Sequence, residues 1–262
     1  MLTTEELLEG TIIAVDKPRQ WTSFQTVNKV KSTIRKMYGL KTFKIGHAGT
    51  LDPLATGLLL VCVGKATKQI EELQKGEKEY TGTMVIGATT ASYDLEQPVD
   101  KLYHTEQLTE ERIENARKAL EGEIMQVPPM FSAIKIDGQR AYSYVREGGE
   151  TEEVKPEPKK VTVKSFELSN WRESPEPETV EKMEEKHHLY DNPQGVVPKG
   201  LPMVDFRVVC GKGTYIRSMA RDFGMLLDSG ALLYSLKRER IGEYRAEVNL
   251  DNIEEYLEQL RR

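Results

Sequence analysis

A chain of 262 residues, 30% of them charged and 7% aromatic, has enough length to bury one large core or two modest ones. No apolar run approaches the roughly 20 residues needed to cross a bilayer, and Met1-Leu-Thr-Thr-Glu-Glu6 lacks the basic and apolar regions of a secretory signal. Two cysteines, Cys62 and Cys210, sit in apolar strand-like surroundings, which argues against a disulfide framework and for a soluble cytoplasmic protein. The net charge of −5 taken alone argues against a nucleic-acid binder. The distribution of charge points the other way: Lys17, Arg19, Lys29, Lys31, Arg35, Lys36, Lys41 and Lys44 occur with no acidic residue from 17 to 46, while acid concentrates between Glu147 and Glu185. A local basic face can steer RNA, because exposed charges more than about 10 Å away are screened at ordinary salt.

In chain order, Thr11–Asp16 reads as a short strand, and Trp21-Thr22-Ser23 leads into a helix. Thr22 and Gln25 are spaced as a capping box, and Phe24, Val27, Val30, Ile34 and Met37 recur on one side. Next comes Lys44-Ile-Gly-His-Ala-Gly-Thr-Leu-Asp-Pro-Leu-Ala-Thr-Gly57, a tight loop delivered into the buried strand Leu58–Val63. Asp52 precedes Pro53, whose ring pushes its backbone toward extended geometry and so fixes the direction of the carboxylate. Gly64-Lys65-Ala66-Thr67 imitates the end of a phosphate loop, but the earlier glycine would fall at Leu59 and the hydroxyl at Ala66, so nucleotide binding is set aside. Thr67–Leu73 is a short helix closed by Gly76.

Lys78–Gly87 alternates like a strand, with Tyr80, Gly82, Met84 and Ile86 on one face. Thr89–Pro98 reads as polar loop, and Thr109–Leu120 as an amphipathic helix with Ile113, Ala116 and Leu120 inward. Ser132–Ile136 is expected as a strand, Asp137-Gly138 as a hairpin turn and Ala141–Glu147 as a helical turn. After the strand Pro156–Leu168, residues 173–202 form an acidic excursion whose adjacent His187 and His188 lack ligand partners at metal-site spacing. Met203–Cys210 is a strand, Gly211–Gly224 a turn and helix with Ile216, Met219, Ala220 and Phe223 inward, Leu233–Tyr244 a strand, and a last helix starts at Asp251.

Six of these stretches carry a resemblance. Gly46-His-Ala-Gly-Thr-Leu-Asp-Pro-Leu-Ala-Thr-Gly57 resembles the catalytic-aspartate motif of the TruB-type tRNA pseudouridine synthases. Asp16-Lys17-Pro18 with Trp21-Thr22-Ser23 resembles the family's Lys-Pro-x-Gly-x-Thr-Ser, with Gln20 in place of the glycine. Gly213-Thr-Tyr-Ile-Arg-Ser-Met-Ala-Arg-Asp-Phe-Gly224 is similar to its third motif nearly residue for residue. Lys78-Glu79-Tyr80, the Pro128-Pro129 segment through Lys135, and Leu236 in a Leu-x-Arg-Thr strand from which Lys237 and Glu239 depart are similar to further family segments.

The resemblance implies an α+β fold, with a mixed, mostly antiparallel central sheet, surrounding helices and a central active-site cleft. One catalytic domain would span 1–250 with the acidic insertion, followed by a helix at 251–262 and no complete PUA domain. It implies isomerisation of a T-loop uridine of tRNA, at position 55, with no cofactor and no metal, by a monomer that binds neither DNA nor membrane. Asp52, Tyr80 and Arg217 would be catalytic; His47, Tyr215, Leu236, Lys17 and Lys135 would contact substrate. Asp52 suits either proposed role, nucleophile or base. Tyr80 would stack on the extruded base, His47 would fill the gap left in the RNA, and Arg217 would keep Asp52 charged in a water-poor pocket. Two rival functions compete with this one: a T-arm-binding RNA-folding factor without isomerase activity, and a retaining glycoside hydrolase, which needs two carboxylates about 5–5.5 Å apart where only one acid lies in a motif.

Overall fold

The computed structural model describes residues 3–132, 135–136, 139–140, 156–175 and 196–261. The turn at Asp137-Gly138, the helical turn expected over 141–147, and His187-His188 lie outside them. Two compact units divide the chain: Met1–Thr81 with Leu236–Arg262, and Gly82–Ser235. Strands β4 (Lys78–Ile86) and β12 (Ala231–Ile241) each contribute residues to both.

In the first unit, α1 (Thr4–Gly10) leads into β1 (Thr11–Lys17), which pairs antiparallel with β3 (Thr56–Val63) from Thr11↔Val63 to Lys17↔Gly57. The short β2 (Ile45–His47) lies antiparallel on β3 as well. Two parallel pairings complete the sheet of this unit: β13 (Val248–Asn249) on β1, and Lys237 and Arg238 of β12 opposite Thr56 and Gly57. Both faces are covered. Ile13, Val15, Leu59, Val61 and Val63 pack with α2 (Ser23–Tyr38) and the last helix, α6 (Ile253–Arg261), while Ala14, Leu58 and Leu60 pack on the other side. Burial on two faces is why β3 reads as an unbroken apolar run, since each fully buried Leu or Ile is stabilising by about 1.5–3 kcal/mol.

Helix α2 begins as its capping box requires: Thr22 Oγ1 accepts from the Gln25 N–H at 3.0 Å, and the Thr22 N–H donates to Gln25 Oε1 at 2.8 Å. Gly39, at φ 65°, ends it. Phe24 corrects the expected apolar stripe, being 70% exposed. Ser23, Thr26 and Thr33 take the inward places beside Val27, Val30 and Ile34. The Thr26 and Thr33 hydroxyls donate to the carbonyls of Thr22 and Lys29, four residues back, so they bury no unmatched polar group. The Gly64-Lys65-Ala66-Thr67 stretch is a 3-10 turn (Gly64–Gln69) before α3 (Ile70–Leu73), with Lys65 paired to Glu9 at 2.6 Å.

The second unit holds the sheet order β4-β11-β10-β7, with β11 (Pro202–Cys210) antiparallel to β10 (Lys159–Glu173) and β7 (Gly122–Gln126) antiparallel to the first five residues of β10. Helix α4 (Glu110–Ala119) starts at Thr109, whose hydroxyl accepts from the Arg112 N–H, and α5 (Ile216–Leu226) buries Ile216, Met219, Ala220 and Phe223 as its spacing predicts. Phe166 meets the rings of Phe206 and Phe223 edge-on at 6.2 and 5.8 Å. The polar loop expected over 89–98 holds from 91 to 98, where it joins β5 (Ala88–Thr90) to β6 (Val99–Leu102) in a hairpin, and only Thr89 and Thr90 fall in a strand. A second small hairpin pairs β8 (Lys135–Ile136) with β9 (Gln139–Arg140). The architecture is mixed α/β with a largely antiparallel sheet, as the resemblance implied.

Candidate active site

Asp52 stands half-buried on the loop joining β2 to β3. Buried side chains grip this loop through its backbone. Ser23 Oγ, at the first turn of α2, accepts from the Leu51 N–H at 2.9 Å and donates to the Leu51 carbonyl at 3.1 Å, fixing both polar groups of the residue before Asp52. The Lys17 ammonium, fully buried, donates to the carbonyls of Pro18 (2.9 Å), Trp21 (2.6 Å) and Pro53 (3.2 Å). Arg238, also buried, reaches the carbonyls of Leu58 at 2.8 Å and Gly49 at 3.0 Å through Nε and Nη2, with Thr50 at 3.4 Å. Finally the Gln20 N–H donates to the Pro53 carbonyl at 2.8 Å. Charge-assisted bonds are about twice as strong as neutral ones, so this set holds the loop more tightly than backbone pairing alone could.

Two backbone conformations make that packing possible. Gln20 sits at φ 67°, the left-handed region that glycine enters without strain, which explains why the related motif has glycine there. Gly57 sits at φ 94°, and a Cβ built on it would lie 2.3 Å from the Arg238 carbonyl oxygen. Arg238 must come this close for its guanidinium to turn back onto the loop.

Around the loop, His47 is the last residue of β2 and Leu236 is half-buried on β12. Tyr80, on β4, is only 8% exposed. Burial pushes the His47 imidazole below its ordinary range, with the nearby Arg238 cation adding to this and the Gly49 carbonyl opposing it. The imidazole is therefore neutral at pH 7. Basic residues of α2 serve the fold as well as the surface: Arg35 donates to the Lys41 carbonyl at 2.6 Å, and Lys36 pairs with Glu254 of α6 at 2.8 Å.

In the second unit, Arg217 lies in the first turn of α5 and is buried. Its guanidinium stands 3.8 Å from the Asp94 carboxylate and donates to the carbonyls of Ser92 (3.2 Å) and Phe131 (2.8 Å). Asp94 is itself buried, accepting from Ser92 Oγ at 2.6 Å and the Glu96 N–H at 3.0 Å. Tyr215, just before α5, is held by its backbone: Gln126 Oε1 accepts from the Tyr215 N–H at 2.7 Å, and Gln126 Nε2 donates to its carbonyl at 3.1 Å. Lys135 pairs through its backbone with Arg140.

In the first unit the structure adds Ser23 and Arg238 beneath the aspartate loop, and in the second it adds Asp94 beside Arg217 and Gln126 beside Tyr215. Ser23 and Arg238 stand inside family-like segments, which is the signal that could have found them; Gln126 carries none. Among the described residues no group of three or more His, Cys, Asp or Glu is placed to hold a metal. Likewise, no helix among them is long and apolar enough to cross a membrane.

With a loop-borne aspartate gripped by buried cations on a helix-flanked sheet, the site has the makings of a pseudouridine synthase. Residues 35–216 match the N-terminal domain of the TruB family of pseudouridylate synthases, and the chain belongs to that family. Among its relatives, a tRNA pseudouridine synthase B of Flavobacterium johnsoniae is 48% identical over 251 residues, covering 95% of this chain and 96% of the relative. One of the same name from Phocaeicola vulgatus is 43% identical over 253 residues, covering 96% and 94%. Of solved structures, a Cbf5-Nop10-Gar1 complex superposes with a TM-score of 0.63 at 25% identity, covering 98% of this chain and 56% of the solved one. The archaeal box H/ACA sRNP Nop10-Cbf5 complex shares the fold at a TM-score of 0.59 and 22% identity, covering 98% and 56%. This chain thus spans a little over half the length of those structural neighbours.

Proposed function

We propose that this chain isomerises a uridine of the tRNA T loop, at position 55, to pseudouridine, with Asp52 as the catalytic carboxylate and no cofactor. The observation that supports this most is the immobilised loop beneath Asp52: Lys17, Ser23 and Arg238 spend buried polar atoms to aim one acid. The reaction balances without an external reagent. The N1–C1′ bond breaks, a C5–C1′ bond forms, C5 loses its proton and N1 gains one.

Tyr80 offers a ring face to the extruded base, a contact worth about 1–3 kcal/mol that offsets part of the extrusion cost. Arg217 is the remaining catalytic residue, already engaged with Asp94, and Tyr215 is set by Gln126 to contact substrate. His47, Leu236 and Lys135 are further contacts to the T arm, and the enzyme acts as a single chain. Lys17 changes role. Its buried ammonium donates to three carbonyls, which supports a positioning role beneath Asp52 in place of the substrate contact that the resemblance implied.

The test is tritium release from tRNA carrying [5-³H]uridine. The purified chain is expected to release tritium from the T loop and Asp52→Asn to release none while binding tRNA within about threefold of the parent, since one buried-edge carboxylate changes and no cation is lost. Turnover in Asp52→Asn refutes the assignment; binding without product in the parent protein identifies a T-arm folding factor instead.

A further inference from the structure

Helix α5 carries a second arginine, Arg221, one turn beyond Arg217 and so on the same face of the helix. The two arginines address three consecutive residues of the loop between β5 and β6. Arg217 takes the Ser92 carbonyl and stands beside the Asp94 carboxylate, whereas Arg221 lies over the ring of Tyr93 between them, its guanidinium carbon 5.2 Å from the ring centre. That is inside the roughly 6 Å over which a cation is drawn to an aromatic face. Neither Tyr93 nor Arg221 is among the residues assigned to the reaction.

Arg221 is in turn aligned by Asp222. Its Nε and Nη2 both meet Asp222 Oδ1, at 2.8 and 2.7 Å, and the two side chains are only 16% and 23% exposed. A guanidinium so withdrawn from water is held more strongly by a ring face than one at the surface, and the carboxylate offsets the hydration that the cation gives up.

The backbone at Tyr93 gives this stack a purpose. Tyr93 sits at φ 62°, a left-handed conformation that an aromatic residue seldom adopts and that persists only where its surroundings impose it. Here they do: the Tyr93 N–H donates to the Thr90 carbonyl at 3.1 Å, and the Tyr93 carbonyl accepts from the Leu233 N–H at 2.9 Å. Asp94 is tied as well, its carbonyl accepting from Thr90 Oγ1 at 2.6 Å and its carboxylate from Ser92 Oγ at 2.6 Å. The dihedral angles of residue 93 set the direction of the Ser92 carbonyl relative to the Asp94 side chain, the two groups that receive Arg217. Strain at this residue and stacking of its ring are of the same order, so the stack offsets what the turn costs.

We infer that Arg221, aligned by Asp222, is a positioning residue: stacked on Tyr93, it holds the left-handed turn that presents Ser92 and Asp94 to Arg217. This role rests on the reading of Arg217 as a catalytic residue and is exerted through it.

The test is a series at position 93 in the full chain, with phenylalanine, 4-fluorophenylalanine and 3,4,5-trifluorophenylalanine introduced by amber suppression. Fluorine draws charge from the ring face with little change of shape, so each member keeps the fold while its hold on Arg221 weakens. The single-turnover rate of pseudouridine formation should fall stepwise, by at least fivefold from phenylalanine to the trifluoro ring, with Kd for tRNA within twofold throughout. When Arg221→Met is added, the rates should become low and equal along the series, because the cation that the ring faced is gone. The series alone carries the test should Arg221→Met not fold. Equal rates along the series with Arg221 present, or the same decline without it, would overturn the role of Arg221. So would a rise in Kd at unchanged rate in Arg221→Met, which would make the arginine a phosphate contact. The reaction is judged apart: no pseudouridine from the parent chain, or full activity in Arg217→Lys, overturns the reading on which this role rests and the role with it. A flat series beside an active parent and an inactive Arg217→Lys overturns the role alone.

Discussion

Ser23 Oγ both accepts a hydrogen bond from the Leu51 N–H and donates one to the Leu51 carbonyl, so a single hydroxyl on α2 satisfies every backbone polar group of the residue that precedes Asp52. Removing it leaves a buried donor and acceptor unmatched, at a cost of about 1–3 kcal/mol in stability. It also frees the carboxylate to drift, and a misplacement of about 1 Å can cost on the order of 100-fold in rate. Ser23→Ala is expected to lower kcat by about 10- to 100-fold with KM for tRNA within about twofold, measured by single-turnover and steady-state kinetics. An equal rise in KM with unchanged kcat would show that Ser23 serves binding.

Gln20 predicts a gain. Held at φ 67°, it bears a left-handed penalty that glycine avoids. Gln20→Gly should stabilise the protein by about 0.5–1 kcal/mol and raise Tm by about 1–4 °C in a thermal melt, with activity retained.

At Gly57 the effect is opposite. A methyl group there would sit 2.3 Å from the Arg238 carbonyl and 2.9 Å from its nitrogen, both backbone atoms that cannot swing aside. Gly57→Ala should cost more than about 3 kcal/mol, seen as a large drop in the urea midpoint, because close overlap is added to positive-φ strain.

His47 gives the pH dependence its sign. Burial holds the folded imidazole below its ordinary value, so the unfolded chain takes up the proton first. Stability contributed by the neutral ring is complete above about pH 6.5 and is lost as pH falls from there toward the lowered folded pKa. The fall in Tm between about pH 7.5 and pH 5.5 should be smaller in His47→Gln than in the parent protein. An identical fall in both would place the titration elsewhere.

Cys62 predicts inertness. Burial pushes its thiol up to about 11, and Cys210 is buried as well. Neither should react with a disulfide reagent at pH 8 until the protein is unfolded, because the thiolate is the reactive form.

Much of the first unit is legible in the letters because its signals are local. The capping box at Thr22 and Gln25, the apolar run into β3 and the Asp52-Pro53 step each depend on residues a few positions apart. Phe24 misleads because hydroxyls that bond within their own helix pack inward as readily as apolar groups, so Ser23, Thr26 and Thr33 hold the face its spacing suggests for it. Lys17 misleads for a related reason. A lysine reads as surface unless one knows that the carbonyls of Pro18, Trp21 and the distant Pro53 converge on it. Strand β7 gives no warning, since Gly122-Glu-Ile-Met-Gln126 alternates weakly and its pairing lies more than thirty residues downstream in β10. Arg238 lies in plain view within a family-like strand, but its destination nearly 190 residues upstream at Gly49 is a matter of topology.

The cations beneath the aspartate loop grasp carbonyl oxygens, a feature that every amino acid supplies alike. Those bonds are thereby indifferent to the side chain of Thr50, which is released to answer outward demands, while Gly49, at φ 100°, and Pro53, whose ring sets the backbone of Asp52, are kept by the loop's own geometry. A scaffold anchored through its amide skeleton can have its recognition chemistry rewritten without being rebuilt.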